Sequence, residues 1–463
     1  MARILSKEIS EYVGKDIELS GWVNVVRAHG KVLFLDLRDR SGIVQLVFIP
    51  SNKELYSAAA ELRPEWVISV SGTVNKRPNG MVNLNIANGE LEILVSHIHI
   101  EAKAKTTPID VGGDGHEIGE ESRMKYRYLD LRRGRMQKNL RSRATFIQTM
   151  RELLVGHDFA EIETPVLTRS TPEGARDYLV PSRTEKGKFY ALPQSPQQYK
   201  QLLMVAGYER YFQVARCFRD EDTRGDRQPE FTQFDIEMSF IEESELMNLM
   251  EEVVVKTIEK TFPNKKFAKR FEIMNYADVM AKYNSDKPDL RQDKNDPNEL
   301  AFLWVIHFPL FEKSEAENRL VSMHHPFTAP ETNDIPLLDT DPSKVMARAY
   351  DLVLNGYEVG GGSIRINNRE LQEKVFETLK IPKEIYEAQF GHLLEALEYG
   401  APAHGGIALG LDRFLSILLN EPNIREVIAF PKTGDGRDLM MDAPSQVSKD
   451  QLDELGLKIN IKQ

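Results

Sequence analysis

The feature that most constrains the fold is a change of hydrophobic period near residue 105. Upstream, short runs alternate apolar and polar residues at Ile17–Arg27, Val32–Arg38, Ile43–Phe48, Trp66–Asn75, Val82–Ile86 and Leu91–Ile100. The turn pairs Ser41-Gly42, Asn79-Gly80 and Asn88-Gly89 punctuate them. Period-two alternation bounded by turn residues marks half-buried strands. One helical stretch, Lys53–Leu62, falls between the third and fourth runs. Residues 1–105 therefore read as a small Greek-key β-barrel of the OB type. From residue 140 onward strands and helices mix without a regular βαβ alternation, which implies an α+β domain built on an antiparallel sheet with flanking helices.

Composition narrows the class further. The chain has 463 residues, 41% hydrophobic and 28% charged, which suits folded cores and excludes wholesale disorder. Its longest apolar runs, such as Gly42–Pro50, fall short of the roughly 18 residues a membrane span needs. Met1–Ser10 carries no apolar stretch with a cleavage site. The single cysteine, Cys217, excludes an internal disulfide framework and reads as a core thiol. The expectation is a cytoplasmic protein with no membrane partner.

The net charge of −11 argues against a polycation that binds DNA non-specifically, so any nucleic acid must meet local basic patches. Residues 1–105 carry thirteen basic and twelve acidic residues, and residues 123–143 carry nine basic and one acidic. The second cluster reads either as a nucleic-acid patch or as a solvated helix face. On the barrel, Arg27, Phe34, Gln45, Phe48 and Arg77 are the candidates for a single-strand binding face. Phe34 shares a strand face with Asp36 and Arg38, opposite Leu33, Leu35 and Leu37, so it is the better stacking residue. Phe48 closes an apolar run and sits nearer the core reading.

Thr106–Glu121 is rich in Gly, Asp and Pro, and divides the chain into residues 1–105, a hinge or linker at 106–139, and a large domain at 140–463. In the large domain Leu140–His157 reads as an amphipathic helix and Glu161–Pro165 as a short strand. Further strands are expected at Lys188–Leu192, Tyr211–Phe218, Thr232–Phe240, Glu358–Ile366 and His404–Leu409. Helices are expected at Gln197–Ala206, Ser244–Thr261, Asp341–Leu354, Glu370–Leu379, Ile381–Tyr399 and Leu411–Leu419.

Three stretches are chemically loaded. Phe218-Arg219-Asp220-Glu221-Asp222 and Arg227-Gln228 join two apolar strands, which puts Arg219 at a strand end in a cleft where a guanidinium fork suits phosphate. Tyr350-Asp351, read as helical, and Glu358 before Gly360-Gly361-Gly362 supply two acids, which either hold Mg²⁺ together or are simply solvated. Arg365 lies an odd number of residues from Glu358, so a bulge is needed to put both on one face. His404–Arg413 runs from a strand through Gly410 and Leu411 into a helix start, where Asp412 and Arg413 make an anion seat.

The first and last of these stretches, with residues 140–170 whose strand ends at Pro165, resemble the three signatures of class II aminoacyl-tRNA synthetases: residues 140–170, Phe218–Glu221 with Arg227–Phe240, and Gly405–Phe414. Thr171-Pro-Glu173-Gly-Ala-Arg-Asp177, Gln194-Ser-Pro-Gln197-Gln-Tyr-Lys200, His324-His325-Pro326-Phe327 and Gly360–Arg365 are similar to the bacterial-type aspartyl-tRNA synthetases. The likeness covers almost the whole chain, and in that family the barrel binds the anticodon.

The resemblance implies that Lys200 and Arg365 take the side-chain carboxylate of L-aspartate. Glu173 would meet its ammonium, with Ser195, Gln197, Asp235 and His324 around it. It implies that Arg219, Asp220, Glu221, Gln228, Glu358, Gly410, Leu411, Asp412 and Arg413 contact ATP. Asp351 and Glu358 would hold Mg²⁺, with Arg219, Arg413 and Glu358 in the catalytic roles. Thr168–Asp177, with Gly174 as a hinge, looks like a loop that closes over the amino acid. Two cations awaiting a carboxylate would reject asparagine. The Pro165 signature implies a homodimer.

Two departures from the family pattern stand out. Ser285–Arg291 runs to Phe302–Phe308 across only Gln292–Ala301, so the large insertion domain usual in bacterial members is absent near 291–302. In addition, Arg27-Ala28-His29-Gly30 and Arg77-Pro78-Asn79-Gly80 look like the forms in non-discriminating relatives that charge both tRNA(Asp) and tRNA(Asn). A loop histidine is also commonly incidental, which leaves a strictly tRNA(Asp)-specific enzyme as the alternative. Asparaginyl- and lysyl-tRNA synthetases share the two-domain plan, but Lys200 and Arg365 argue against both. A non-catalytic RNA-binding paralogue should have lost Arg219, Arg413 or the acid pair.

Overall fold

The computed structural model describes residues 3–78, 80–84, 86–171, 175–314 and 318–460. They form two compact units, Met1–Asp110 and Val111–Gln463. In the first, β1 (Asp16–His29), β2 (Val32–Arg38), β3 (Ile43–Phe48), β4 (Val67–Lys76) and β5 (Leu91–Ala102) close a barrel in the order β1-β2-β3-β5-β4. Helix α1 (Lys53–Glu61), capped by Asn52, lies between β3 and β4. The alternation read from sequence is realised in β2, where Leu33, Leu35 and Leu37 are buried while the residues between them are only half-buried. The described residues of the expected strand Val82–Ile86 form turns instead, stitched by Asn83 N donating to Gly89 O at 3.0 Å.

The second unit opens with α2 (Glu120–Lys125), α3 (Arg127–Asp130) and α4 (Gly134–Gly156), then β6 (Ala160–Glu161), β7 (Leu179–Pro181), β8 (Phe189–Ala191) and α5 (Gln197–Val205). The hairpin pair β9 (Arg210–Phe218) and β10 (Glu230–Ser239) leads into α6 (Glu243–Thr261), β11 (Glu272–Asn275), α7 (Tyr276–Tyr283), β12 (Phe302–Ile306), β13 (Phe311–Ser314), β14 (Arg319–Ser322) and α8 (Leu337–Thr340). It ends with β15 (Ala349–Leu354), β16 (Tyr357–Ile364), α9 (Arg369–Thr378), α10 (Lys383–Leu397), β17 (His404–Gly410), α11 (Leu411–Leu418) and α12 (Lys449–Leu455). Eight strands form one sheet in the order β11-β12-β15-β16-β17-β10-β9-β6, antiparallel except at its two edges. Phe146, Met150 and Leu154 of α4 and Leu246, Met250 and Val253 of α6 join the sheet in one apolar core.

Three expectations need correction. The helix expected at Asp341–Leu354 is a short 3-10 turn at Pro342–Lys344 followed by β15. All six residues of β15 are buried, so both faces are covered and the period-two signal is absent. The segment 106–139 is not a hinge beyond Asp110: Val111 onward belongs to the second unit, and the long helix starts at Gly134 rather than Leu140.

The third correction supplies the reason. The first part of the basic run is neither a solvated face nor a surface patch, because Arg123, Arg127 and Arg133 are buried around Asp130 and Glu426, whereas Lys125, Lys138 and Arg141 are exposed. Arg123 donates to Asp130 at 3.0 Å and to Glu426 at 2.6 Å, and Arg127 and Arg133 reach Asp130 at 2.6 and 2.7 Å. Gly115, at φ +84°, leaves room for the Arg133 side chain, and Gly112 O accepts its Nη1. The glycines thus seat an arginine. Removing one partner from such a buried network typically costs about 3–5 kcal/mol.

The short connection at 292–301 is closed on itself. Glu299 accepts from Gln292 N and Asp293 N at 2.7 and 2.8 Å, and Asn355 bonds Ala301 N at 2.8 Å. Among the described residues no helix is long and apolar enough to cross a membrane.

Candidate functional site

A cavity of about 470 Å³ opens over β9, β10, β15, β16 and β17. Its two ends differ in chemistry. At the first, Lys200 on α5 donates to Asp235 at 2.6 Å and stands 3.2 Å from Glu237, both on β10. Arg365, just past β16, pairs with Glu237 through Nε at 2.9 Å and Nη2 at 3.2 Å, while its Nη1 meets Ser363 Oγ at 2.7 Å and His325 Nε2 at 2.6 Å. All four charged groups are at most 4% exposed. Burial alone would raise the Glu237 carboxyl, but Arg365 and Lys200 hold it down, to about 2. Burial pushes Asp235 up against the pull of Lys200. Burial, reinforced by the Arg365 charge, keeps His325 neutral. Gly406 on β17 is required here, since a Cβ would collide with the Glu237 carboxylate.

Sequence reading brought Lys200, Asp235 and Arg365 together correctly but missed Glu237 and the contact made by His325. The signal for Glu237 was available: two acids two residues apart, on one face of an otherwise apolar strand, need buried cations. The finding changes the electrostatics. The two cations do not await a carboxylate uncompensated, because Asp235 and Glu237 already balance them. Ser195 and Gln197 line the same end, with Gln197 Nε2 donating to Gln201 at 3.1 Å. Glu173 and Gly174 lie outside the described residues.

At the second end Asp351, on β15 and not on a helix, faces Glu358 on β16. A Cβ on Gly361 would lie 2.9 Å from Asp351 Oδ1 and 3.5 Å from Glu358 Oε1, so both carboxylates overhang the glycine. The Asp351 charge, with burial second, raises the Glu358 carboxyl. Register shifts between Leu352 and Val353, leaving Val359 unpaired with β15, and this bulge lets Glu358 and Arg365 both line the cavity. Among the described residues no group of three or more His, Cys, Asp or Glu forms a closed metal cage.

His324 bonds Asp351 at 3.1 Å, which places it at this end and not beside Lys200 and Arg365. The two acids outweigh its burial and raise its pKa. Arg219 lies over the Phe231 ring at 5.0 Å, and among the described residues its buried Nε has no acceptor. Arg413 donates to Glu358 O at 2.6 Å and to Asp226 at 3.1 Å, and its Nε is likewise buried without a partner there.

Other residues grouped with ATP by sequence take different places. Glu221 and Gly410 line the cavity. The side-chain amide of Gln228, also in the lining, is already bonded to the Lys432 backbone at 2.7 and 3.1 Å. Leu411 is packed in the core. Asp220 is half-buried off the cavity, where it bridges to Arg176. Asp412 lines the cavity but is no anion seat: its carboxylate is buried, accepting from Thr232 N at 2.9 Å and from Arg143. That ties the start of α11 to β10 and α4.

On the barrel, Arg27 and Phe34 are register partners and Asp36 faces Gln45. Arg27 forms a two-pronged pair with Asp36 at 2.7 Å, and Gln45 donates to Glu92 at 2.9 Å. Phe34 stands half-buried among these polar groups. Phe48 is fully buried in the core, and Arg77 is 7% exposed with Nε donating to Leu91 O at 2.9 Å. Neither belongs to the open face. His29 and Gly80 are both exposed, and Gly80 has φ +89°.

A family model described as tRNA synthetases class II (D, K and N) matches residues 119–434, and one described as an OB-fold nucleic acid binding domain matches residues 17–101. The aspartate–tRNA(Asp/Asn) ligase of Dictyoglomus turgidum is 45% identical, with 96% of each chain covered. That of Protochlamydia amoebophila is 42% identical over 97% of this chain and 96% of its own. The aspartate–tRNA ligase of Staphylococcus carnosus is 40% identical over 97% of each. The first alignment runs over 570 positions against 463 residues here, so at least 107 positions of that relative have no counterpart in this chain. Among solved structures, asparaginyl-tRNA synthetase from Pyrococcus horikoshii complexed with asparaginyl-adenylate superposes with TM-score 0.76 at 21% identity, covering 94% of this chain and 98% of its own. Aspartyl-tRNA synthetase from Entamoeba histolytica gives 0.73 at 22% identity, covering 93% and 91%. At these identities the likeness is one of fold.

Proposed function

Because the chain belongs to the class II tRNA synthetases (D, K and N), and within them to the aspartate–tRNA ligases, we propose a division of labour in which the first end of its cavity holds L-aspartate and the second holds ATP. The observation that carries this is the buried Lys200–Asp235–Glu237–Arg365 set, which shares one cavity with Arg219. Lys200 and Arg365 offer donors to the substrate's side-chain carboxylate, while Asp235 and Glu237 hold them in place. Asparagine would present an amide N–H₂ to donors already fixed by those acids, a mismatch that a buried polar site rejects strongly.

The aspartate α-carboxylate attacks the α-phosphorus of ATP in line, the bond to the pyrophosphate oxygen breaks, and aspartyl-adenylate forms. Arg219, held over the Phe231 ring, bonds the α-phosphate as charge develops, and Arg413 takes the γ-phosphate. No protein nucleophile is involved, and positioning and charge stabilisation carry the rate. Asp351 and Glu358 fit Mg²⁺, which binds through one or two carboxylates plus substrate phosphates and would supply neutralisation of phosphate charge. The crowding of these two carboxylates over Gly361 supports that assignment. A hydroxyl of the tRNA 3′-terminal adenosine then attacks the aspartyl carbonyl and AMP leaves.

The barrel face of Arg27, Phe34 and Gln45 reads the anticodon, with Phe34 stacking a base. The names of the relatives and the exposed His29 and Gly80 support charging of both tRNA(Asp) and tRNA(Asn). Exposed Val155, Val166 and Leu167 beside the Pro165 signature support a homodimer working in the cytoplasm. Sedimentation showing an active monomer at micromolar concentration would sink that assembly. Charging of purified tRNA(Asp) and tRNA(Asn), side by side with aspartate, ATP and Mg²⁺, tests the rest. Both should be charged. Charging of tRNA(Asp) alone would assign His29 and Gly80 no role in tRNA choice, and charging of neither would refute the activity.

A further inference from the structure

Gln194 makes contacts that the activation chemistry does not use. Its side chain is 3% exposed and lies outside every charged pair described above. Its Oε1 accepts from Ala175 N at 3.1 Å, and its Nε2 donates to Ala175 O at 2.8 Å and to Asp177 Oδ1, with Thr171 O at 3.5 Å. Asp177 also accepts from Ser170 Oγ at 2.6 Å. One amide therefore holds Ala175–Asp177 through both its protons and its oxygen, with Thr171 O a marginal third neighbour.

The fixed backbone reaches both ends of the cavity. Ser195, the next residue, lines the cavity and also a second one of about 490 Å³ whose wall includes Thr171. In the other direction Asp220 N donates to Arg176 O at 2.9 Å, and Phe218 N donates to Pro193 O at 2.9 Å. Of the two residues flanking Arg219, Asp220 is thus bonded to the backbone that the Gln194 side chain holds, and Phe218 to Pro193, the residue before Gln194. This gives Asp220, half-buried off the cavity, a reason to be where it is.

We propose that Gln194 is a positioning residue for aspartate activation, setting the backbone at 175–177 and, through Asp220, the strand end that carries Arg219. The inference rests on the activity proposed above. Only a side chain that donates and accepts at this reach fits. Glutamate would set oxygen against Ala175 O and Asp177 with no proton between them, and asparagine is one methylene short.

The test uses the full chain as wild type, Gln194→Ala, Gln194→Glu, and Gln194→Glu with Asp177→Asn. Aspartate-dependent ATP–pyrophosphate exchange and thermal unfolding are read for each. Gln194→Glu should raise the aspartate KM at least tenfold and exceed Gln194→Ala in effect. Adding Asp177→Asn should recover at least threefold, because the new amide donates to the new carboxylate. An aspartate KM within twofold of wild type in Gln194→Glu, or a lower melting temperature with KM unmoved, overturns the proposal. So does an Asp177→Asn change that worsens the loss. Wild type inactive with aspartate would instead refute the activity itself, and this inference with it.

Discussion

The two ends of the cavity solve opposite electrostatic problems. At the amino-acid end Lys200, Asp235, Glu237 and Arg365 are buried and balance one another, and Arg365 pulls the Glu237 carboxyl down to about 2 despite its burial. At the nucleotide end Asp351 and Glu358 crowd each other over Gly361, and Glu358 rises as a result. Arg219 and Arg413 each keep a buried Nε without an acceptor among the described residues. The charges of the first end balance before substrate arrives, with one carboxylate oxygen, Asp235 Oδ2, still buried without a donor among the described residues. The second is strained in charge, as suits the phosphates and cation proposed for it. A site that must discriminate one side chain benefits from rigid, satisfied neighbours, whereas a site that must stabilise charge appearing in a transition state benefits from donors held in reserve.

The largest effect expected from this contrast is on rate. Arg219→Ala should lower ATP–pyrophosphate exchange by roughly 10³-fold or more while tRNA binding is kept, since the lost donor acts on the reacting phosphate. Retained exchange would mean that Arg219 is not the α-phosphate ligand.

Next is stability. Glu237→Gln leaves two buried cations under-compensated and should destabilise the folded protein by about 3–5 kcal/mol, read by denaturant unfolding. A change below about 1 kcal/mol would show that the amino-acid end does not depend on internal pairing.

The same carboxylate predicts an acid response of similar size. Its folded value of about 2 lies below the ordinary 4.5. Its contribution is therefore full above pH 4.5 and is lost as pH falls toward 2, on the order of 3 kcal/mol. The difference between wild type and Glu237→Gln should shrink across that window.

The smallest effect has the opposite sign. Asp351→Asn relieves the repulsion on Glu358, so the ligand-free protein should melt slightly higher while exchange demands more Mg²⁺. A lower melting temperature would show that the acid pair is a structural contact.

How much was legible follows from which signals are local. The barrel's alternation in β2 and the three stretches around Arg219, Glu358 and Arg413 were readable because each is a contiguous pattern. Asp351 was placed on the wrong element because β15 is buried on both faces and shows no alternation. The arginines of 123–133 looked solvated because their acid Glu426 is some 300 positions away, and only the fold brings the two together. Arg77 and Phe48 were grouped with the tRNA face by residue type, whereas burial is set by the closing strands. Glu237 was hidden in plain view, two residues from Asp235.

The measurement that tests the account most directly is ATP–pyrophosphate exchange by the purified chain, run with aspartate and with asparagine and with and without Mg²⁺. The account predicts exchange that requires aspartate and Mg²⁺ together, with asparagine giving little or none. Equal exchange with asparagine would contradict the assignment of the balanced Lys200–Arg365 end to a carboxylate. Exchange indifferent to Mg²⁺ would contradict the reading of Asp351 and Glu358.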